Sequence, residues 1–188
     1  MDLTFIIPTR IETEDRLRNI ISSVSYLLKH VPAKVIVKEV SNQETFKFRA
    51  IPEIKKYASI DNLTYLYEKS DDPWFCKSKV LNDLIVATKT KVVANYDADC
   101  ILPIASYQKA YTAINDDKAD VVYPYGCGVY QWKADYDMDM YNLFTHKLST
   151  DVLDYSKTLS NSTIGWTQFV NRQKYIDSYM MNENFISW

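Results

Sequence analysis

Two carboxylates one residue apart, Asp97-Ala98-Asp99, follow directly on the run Val92-Val93-Ala94-Asn95-Tyr96. A strand ending in such a pair presents oxygen ligands at the carboxyl edge of a sheet, which is where open α/β sheets bind their ligands. Carboxylates placed there can hold a divalent cation carrying a diphosphate, because Mn²⁺ and Mg²⁺ take oxygen donors and share them with phosphate. Spacing alone is a weak signal. The chain has seventeen aspartates in 188 residues, so about 1.5 Asp-x-Asp matches are expected by chance. Two more occur in Asp135-Tyr136-Asp137-Met138-Asp139. Context separates them: the first pair ends a strand and is followed by Pro103, which delays the next helix, whereas the second has no strand before it and reads as a solvated face.

Other residues narrow the chemistry. Lys77 and Lys79 open a helical pattern, where cationic side chains and backbone N–H groups together suit phosphate oxygens; a lysine taken alone in such a place is most often merely exposed. Arg10 follows an apolar run, and its planar fork of donors suits a diphosphate or a base edge, with a surface ion pair to Glu12 or Glu14 as the alternative. Only three glycines occur, Gly126, Gly128 and Gly165, so neither a G-x-G-x-x-G dinucleotide loop nor a P-loop can be written. The cysteines Cys76, Cys100 and Cys127 form no C-x-x-C pair, which argues against a zinc or dithiol site and fits a reducing cytoplasm. His30 and His146 have no ligand spacing. A net charge of −2 supplies no bulk attraction to nucleic acid or anionic membrane. No signal peptide or membrane-length apolar run is present; the expected location is cytoplasmic, with peripheral membrane contact left open.

Positioning such residues requires strands that end together. Leu3–Ile7 reads as a strand stopped at Pro8-Thr9-Arg10, and Thr13–His30 as a helix with Leu17, Ile20, Ile21, Val24, Leu27 and Leu28 at helical spacing. Lys34–Val40 and Leu63–Tyr67 read as strands, and Phe46–Tyr57 as a short helix interrupted by Pro52. Phe75–Thr88 reads as a helix, Val92–Tyr96 as a buried strand, and a further helix follows Pro103. Beyond Asp120, Val121–Tyr123 is a candidate strand, Asp135–Lys147 has weak helical spacing, and Arg172–Tyr179 reads as a helix. Alternating elements imply one α/β domain with a mostly parallel sheet and helices on both faces. Within it, 1–119 is the expected ligand-binding half and 120–188 the half facing a second substrate. Aromatics make up 14% of the chain, with fifteen tyrosines; an aromatic core and rim accounts for them as well as sugar-stacking platforms do.

Three ordered blocks resemble the GT-A family 2 glycosyltransferases, most closely the β-1,4-galactosyltransferase and chondroitin-polymerase type. They are Phe5-Ile6-Ile7-Pro8-Thr9-Arg10; Trp74-Phe75-Cys76-Lys77-Ser78-Lys79-Val80-Leu81-Asn82-Asp83; and Asn95-Tyr96-Asp97-Ala98-Asp99-Cys100-Ile101-Leu102-Pro103. In that family the second block reads F-N-R/K-A-K-x-L-N-x-G and the third D-x-D-x-x-P. Gly165-Trp166-Thr167-Gln168-Phe169-Val170-Asn171-Arg172 resembles G-G-x-x-x-x-x-R/K, with Trp166 in place of the second glycine. Asn182-Glu183-Asn184-Phe185-Ile186-Ser187-Trp188 resembles the N-E-x-F-x-x-W that runs on into G-x-E-D. Because that acidic pair usually supplies the catalytic base, the base is expected beyond Trp188.

The resemblance implies a GT-A (Rossmann-like) fold and a metal-dependent, inverting transfer of a sugar from a UDP-sugar to a glycan acceptor. Pro8, Thr9, Arg10, Glu12, Glu39, Lys77, Lys79, Asn82, Asp97, Ala98 and Asp99 would bind the nucleotide sugar, with Lys79 ahead of Lys77 as the phosphate contact. Asp99 would ligate Mn²⁺ or Mg²⁺ directly, and Asp97 would contact the ribose or a metal-bound water. Trp166 and Trp188 would pack against a sugar ring, or serve as ordinary core. A catalytically silent nucleotide-sugar- or glycan-binding module is the alternative. A nucleotidyltransferase is disfavoured by the lack of a glycine-rich loop.

Overall fold

A computed structural model describes residues 1–126, 131–153 and 165–184. Its centre is a six-stranded sheet in the order β3-β2-β1-β4-β6-β5. β1 (Leu3–Thr9) runs parallel to β2 (Lys34–Ser41) and β4 (Val92–Tyr96), and β2 runs parallel to β3 (Leu63–Lys69). β6 (Thr167–Asn171) pairs antiparallel with both β4 and the short β5 (Val121–Val122). The sheet thus crosses the boundary between residues 1–119 and 120–188, because β6 inserts between β4 and β5.

Period-two alternation divides the core. Leu3, Phe5, Ile7, Val35, Val37, Ala94, Tyr96 and Phe169 pack with α1 (Glu14–His30), α2 (Ile51–Ile54), α4 (Ile104–Asn115) and α5 (Met138–Lys147). Ile6, Val40, Val93 and Val170 pack with α3 (Lys77–Ala87) and α6 (Arg172–Asp177). All seven residues of β1 and all five of β4 are buried, as expected for central strands covered on both faces.

Helix ends follow the chemistry of orphan backbone groups. Thr13 caps α1, with Glu14 and Asp15 in the first turn and Lys29 and His30 in the last, an arrangement that complements the macrodipole. In α5, Asp137 accepts a 2.9 Å hydrogen bond from the Met140 N–H, so part of the Asp135–Asp139 cluster is a helix cap as well as a polar surface. Residues 46–54 depart from the expected interrupted helix: a π-helical turn, Phe46–Ala50, passes directly into α2. Pro52 lies at the junction, where the backbone ladder changes from the π spacing of Ile51 N–H to the Phe46 carbonyl to the α spacing of Lys55 N–H to the Ile51 carbonyl.

Candidate functional site

The carboxyl ends of β1 and β4 and the N-terminus of α3 enclose a cleft of about 370 Å³. Its walls are Pro8, Thr9, Arg10 and Glu12 after β1; Arg16 and Asn19 of α1; Pro73, Trp74, Phe75 and Lys77; and Asp97, Ala98 and Asp99 after β4. Of the eleven nucleotide-sugar residues expected from sequence, eight therefore meet in one place: Pro8, Thr9, Arg10, Glu12, Lys77, Asp97, Ala98 and Asp99.

The Asp97–Leu102 loop is fixed by its backbone. The Asp97 N–H donates to the Trp166 carbonyl at 2.8 Å, and the Asp97 carbonyl accepts from the Cys100 N–H at 3.2 Å. Ser23, wholly buried on α1, donates to the Ala98 carbonyl at 2.7 Å. Beneath the loop, Tyr96 donates to the Cys100 carbonyl, while the Tyr107 hydroxyl meets that of Tyr96 at 2.8 Å and accepts from the Leu102 N–H at 2.9 Å. Both rings pack edge-on against Phe5, with centroids 5.5 and 5.6 Å away. Two buried tyrosines thus turn a hydrophobic core into a polar floor for the aspartate loop.

The two carboxylates differ. Asp99 is exposed, whereas Asp97 is half-buried and in contact with the Lys77 ammonium. Burial pushes the Asp97 carboxyl up, Lys77 pulls it down and Asp99 pushes it up again; it ends above the ordinary carboxylate value. Among the described residues no group of three His, Cys, Asp or Glu side chains could enclose a metal ion. Two carboxylates, one of them exposed, are a donor set suited to a hard cation that completes its coordination with phosphate oxygens.

α3 breaks the pattern that α1 follows. Its first turn contains no acid and no side-chain cap, with Cys76 at the cap position, yet Lys77 and Lys79 stand at this positive end. Cations at the positive end of a helix are unfavourable to it, and each is answered by a carboxylate, Lys77 by Asp97 and Lys79 by Asp83. The lysines diverge, because residues two apart on a helix point about 200° apart. Lys77 reaches the cleft. Lys79, the expected phosphate contact, is not among the lining residues and pairs instead with Asp83 at 2.9 Å.

Arg10 within the lining, and Glu39 and Asn82 outside it, occupy supporting positions. Arg10 is buried and forms neither ion pair weighed from sequence. Its Nε donates to the Val40 carbonyl at 2.9 Å, its Nη1 to the Asp72 and Pro73 carbonyls at 2.8 and 3.3 Å, and its Nη2 to the Trp74 carbonyl at 3.5 Å. Its guanidinium carbon also lies 5.5 Å from the Phe75 ring centroid. The side chain thus fastens the 72–75 wall to the sheet, while Glu12 pairs with Arg16 at 3.2 Å. Glu39, expected at the nucleotide, is wholly buried outside the cleft lining. It accepts from the Phe46 N–H at 3.0 Å and the Tyr65 hydroxyl at 2.7 Å because the π turn folds back over the end of β2. Asn82, also outside the lining, donates to the Met181 carbonyl and to Glu183, both at 2.9 Å, and accepts from the Met181 N–H at 3.1 Å. It ties α3 to the segment near the end of the chain.

Trp166 is half-buried and stacks on Tyr125, with centroids 5.3 Å apart at 25°. Trp188 lies outside the described residues. Sequence reading missed Ser23, Tyr96, Tyr107, Tyr125 and the loop residue Trp74, which is 58% exposed at the cleft. Trp74 and Tyr96 carried a signal, as members of the second and third blocks to which no role was given.

No protein-family model and no curated protein matches the sequence, whereas solved structures match its fold. The mannosyltransferase PcManGT from Pyrobaculum calidifontis, in complex with GDP-Man and Mn²⁺, superposes with a TM-score of 0.57 at 16% identity, over 97% of this chain and 48% of its own. S. aureus TarS 1–349 in complex with UDP-GlcNAc gives a TM-score of 0.55 at 17% identity, over 95% and 48%. GalNAc-T7 with UDP, GalNAc and Mn²⁺ gives a TM-score of 0.62 at 13% identity, over 99% and 37%. The architecture is therefore the GT-A fold of glycosyltransferases. The chain spans about half the length of the first two structures and just over a third of the last. Among its described residues, no helix is long and apolar enough to cross a membrane.

Proposed function

We propose that the chain binds a UDP-sugar with a divalent cation and transfers the sugar, with inversion, to a hydroxyl of a glycan acceptor. The observation carrying this reading is the convergence of Asp97, Asp99 and Lys77 with the loop after β1 on one cleft at the sheet's carboxyl edge. UDP is chosen on the sequence resemblance, and TarS and GalNAc-T7 were solved with UDP-GlcNAc and UDP. Lining charges cancel, with Arg10, Arg16 and Lys77 against Glu12, Asp97 and Asp99, so the bare cleft offers a diphosphate little net attraction.

Asp99, with Asp97 beside it, would hold Mn²⁺ or Mg²⁺. Such an ion supplies charge neutralisation on the departing nucleoside diphosphate. Lys77 adds a mobile ammonium for phosphate oxygens at the N-terminal end of α3, and Arg10 keeps the 72–75 wall in place. Trp166 on Tyr125 forms an aromatic shelf beside Asp97, suited to the C–H face of a sugar.

A second reading, a donor-binding module without transfer, draws support from the three carboxylates of the cleft. Glu12 is paired with Arg16, Asp97 is in contact with Lys77, and Asp99 is assigned to the cation. UDP binding without UDP release from any UDP-sugar and acceptor would favour that module.

Calorimetric titration of UDP in Mn²⁺ and in EDTA tests the common core of both readings. Mn²⁺ should strengthen binding, and Asp99→Asn should lower UDP affinity in Mn²⁺ at least tenfold, the loss of one charge-assisted contact. Equal binding in EDTA would contradict the assigned metal role.

A further inference from the structure

We propose that Lys77 is the resident counter-ion of Asp97 in the nucleotide-free protein, and that it exchanges partners when the donor binds, leaving Asp97 to the divalent cation and moving onto the diphosphate. The inference rests on the reading of the cleft given above. It starts from the contact between the Lys77 ammonium and the Asp97 carboxylate, both side chains mostly shielded, at 22% and 17% exposure. A cation arriving alone meets a carboxylate whose charge is already compensated, next to an ammonium that repels it. A diphosphate arriving alone meets a cleft with no net charge and a lysine held by an aspartate.

Arriving together, the ligands remove both obstacles. The diphosphate gives Lys77 a second anionic partner at the N-terminal end of α3, whose first turn contains no acid. Asp97 is then released towards the cation. Lys77 is suited to this exchange because an ammonium is a point charge on a flexible stem, without the fixed geometry of a guanidinium. Arg10, whose fork is distributed over four carbonyls, has no such freedom. Metal and nucleotide affinities are thereby coupled through one side chain, and linkage makes the coupling reciprocal.

The test is a double-mutant cycle on Mn²⁺ affinity without nucleotide, followed by the spectrum of free Mn²⁺ in electron paramagnetic resonance. Lys77→Gln should tighten Mn²⁺ about five- to tenfold, the lower part of the usual coupling range, and Lys77→Arg should not. In an Asp97→Asn background the gain from Lys77→Gln should fall within twofold, because no carboxylate is left to contest. Parallel UDP titrations in Mn²⁺ should show weaker binding for Lys77→Gln. Unchanged Mn²⁺ affinity in Lys77→Gln, with Mn²⁺-dependent UDP binding intact, would overturn the exchange and leave the functional reading standing. A gain that persists in Asp97→Asn would reveal through-space repulsion and also overturn it. Failure of every variant and the parent to bind Mn²⁺, with or without UDP, would overturn the functional reading and the exchange together.

Discussion

Lys77 and Lys79 stand two residues apart in the first turn of α3, each beside an aspartate, yet the two aspartates respond oppositely. Burial pushes the Asp83 carboxyl up, but hydrogen bonds from Lys38 and Lys79 outweigh it and hold the group below its ordinary value. Burial likewise pushes Asp97 up; there Lys77 works alone, Asp99 opposes it, and the group stays high. Lys38 completes the first cluster, bonded to Glu68 at 2.8 Å and Asp83 at 2.9 Å between β2, β3 and α3. That outer cluster satisfies its charges within the protein. At the cleft, the same residue types meet as Lys77 and Asp97, yet the carboxylate stays above its ordinary value, which is the condition a ligand can improve.

Arg10→Ala should produce the largest stability change. It removes a buried cation hydrogen-bonded to four carbonyls, and urea unfolding should show a loss of about 3 kcal/mol. A loss below 1 kcal/mol would mean that the 72–75 wall is held by other contacts.

Lys38→Met should cost about 1 kcal/mol, a figure reduced because its partners Glu68 and Asp83 are partly exposed. The pH dependence follows from the shift directions. Asp83 is depressed, so its contribution is present above the ordinary 3.8 and lost as pH falls through the lower folded value. Lys38 is raised, despite burial, by Glu68 and Asp83, so its contribution is complete below 10.5 and lost as pH climbs past it. The penalty of Lys38→Met should therefore hold through neutral pH and shrink in acid below the Asp83 transition.

A smaller effect separates the clusters most clearly. With a raised carboxyl, Asp97 makes the fold less stable as pH climbs from 3.8 to its folded value. Asp97→Asn should leave stability at pH 7 within about 0.5 kcal/mol of the parent or slightly above it. Asp83→Asn should lower it. Equal losses from both would erase the distinction between the clusters.

Much of this arrangement was legible in the residues. Val92–Tyr96 and the helix after Pro103 fall where the β-branched run and the proline place them. The loops at Pro8–Glu12 and Asp97–Asp99 meet because parallel strands end at one edge. What the chain order hides is the phase of α3: periodicity marks a helix but not which of two residues 200° apart faces the cleft. Glu39 lies outside the cleft lining because the π turn covering it is a tertiary feature, and the anchoring of Arg10, which does line the cleft, was hidden because its partners are carbonyls of segments distant in sequence. Tyr96 reads as part of a buried strand, and it and Tyr107 are core residues; their second role depends on a loop passing over their hydroxyls.

The most direct test compares Lys77→Ala with Lys79→Ala on binding of UDP and of uridine, in Mn²⁺, by calorimetry. Lys77→Ala should weaken UDP about tenfold or more, the loss of one charge-assisted hydrogen bond, and leave uridine nearly unchanged. Lys79→Ala should alter neither beyond about twofold, as expected for one partner of an exposed ion pair. A larger loss of UDP affinity from Lys79→Ala than from Lys77→Ala would contradict the assignment of the diphosphate to the cleft that holds Asp97 and Lys77.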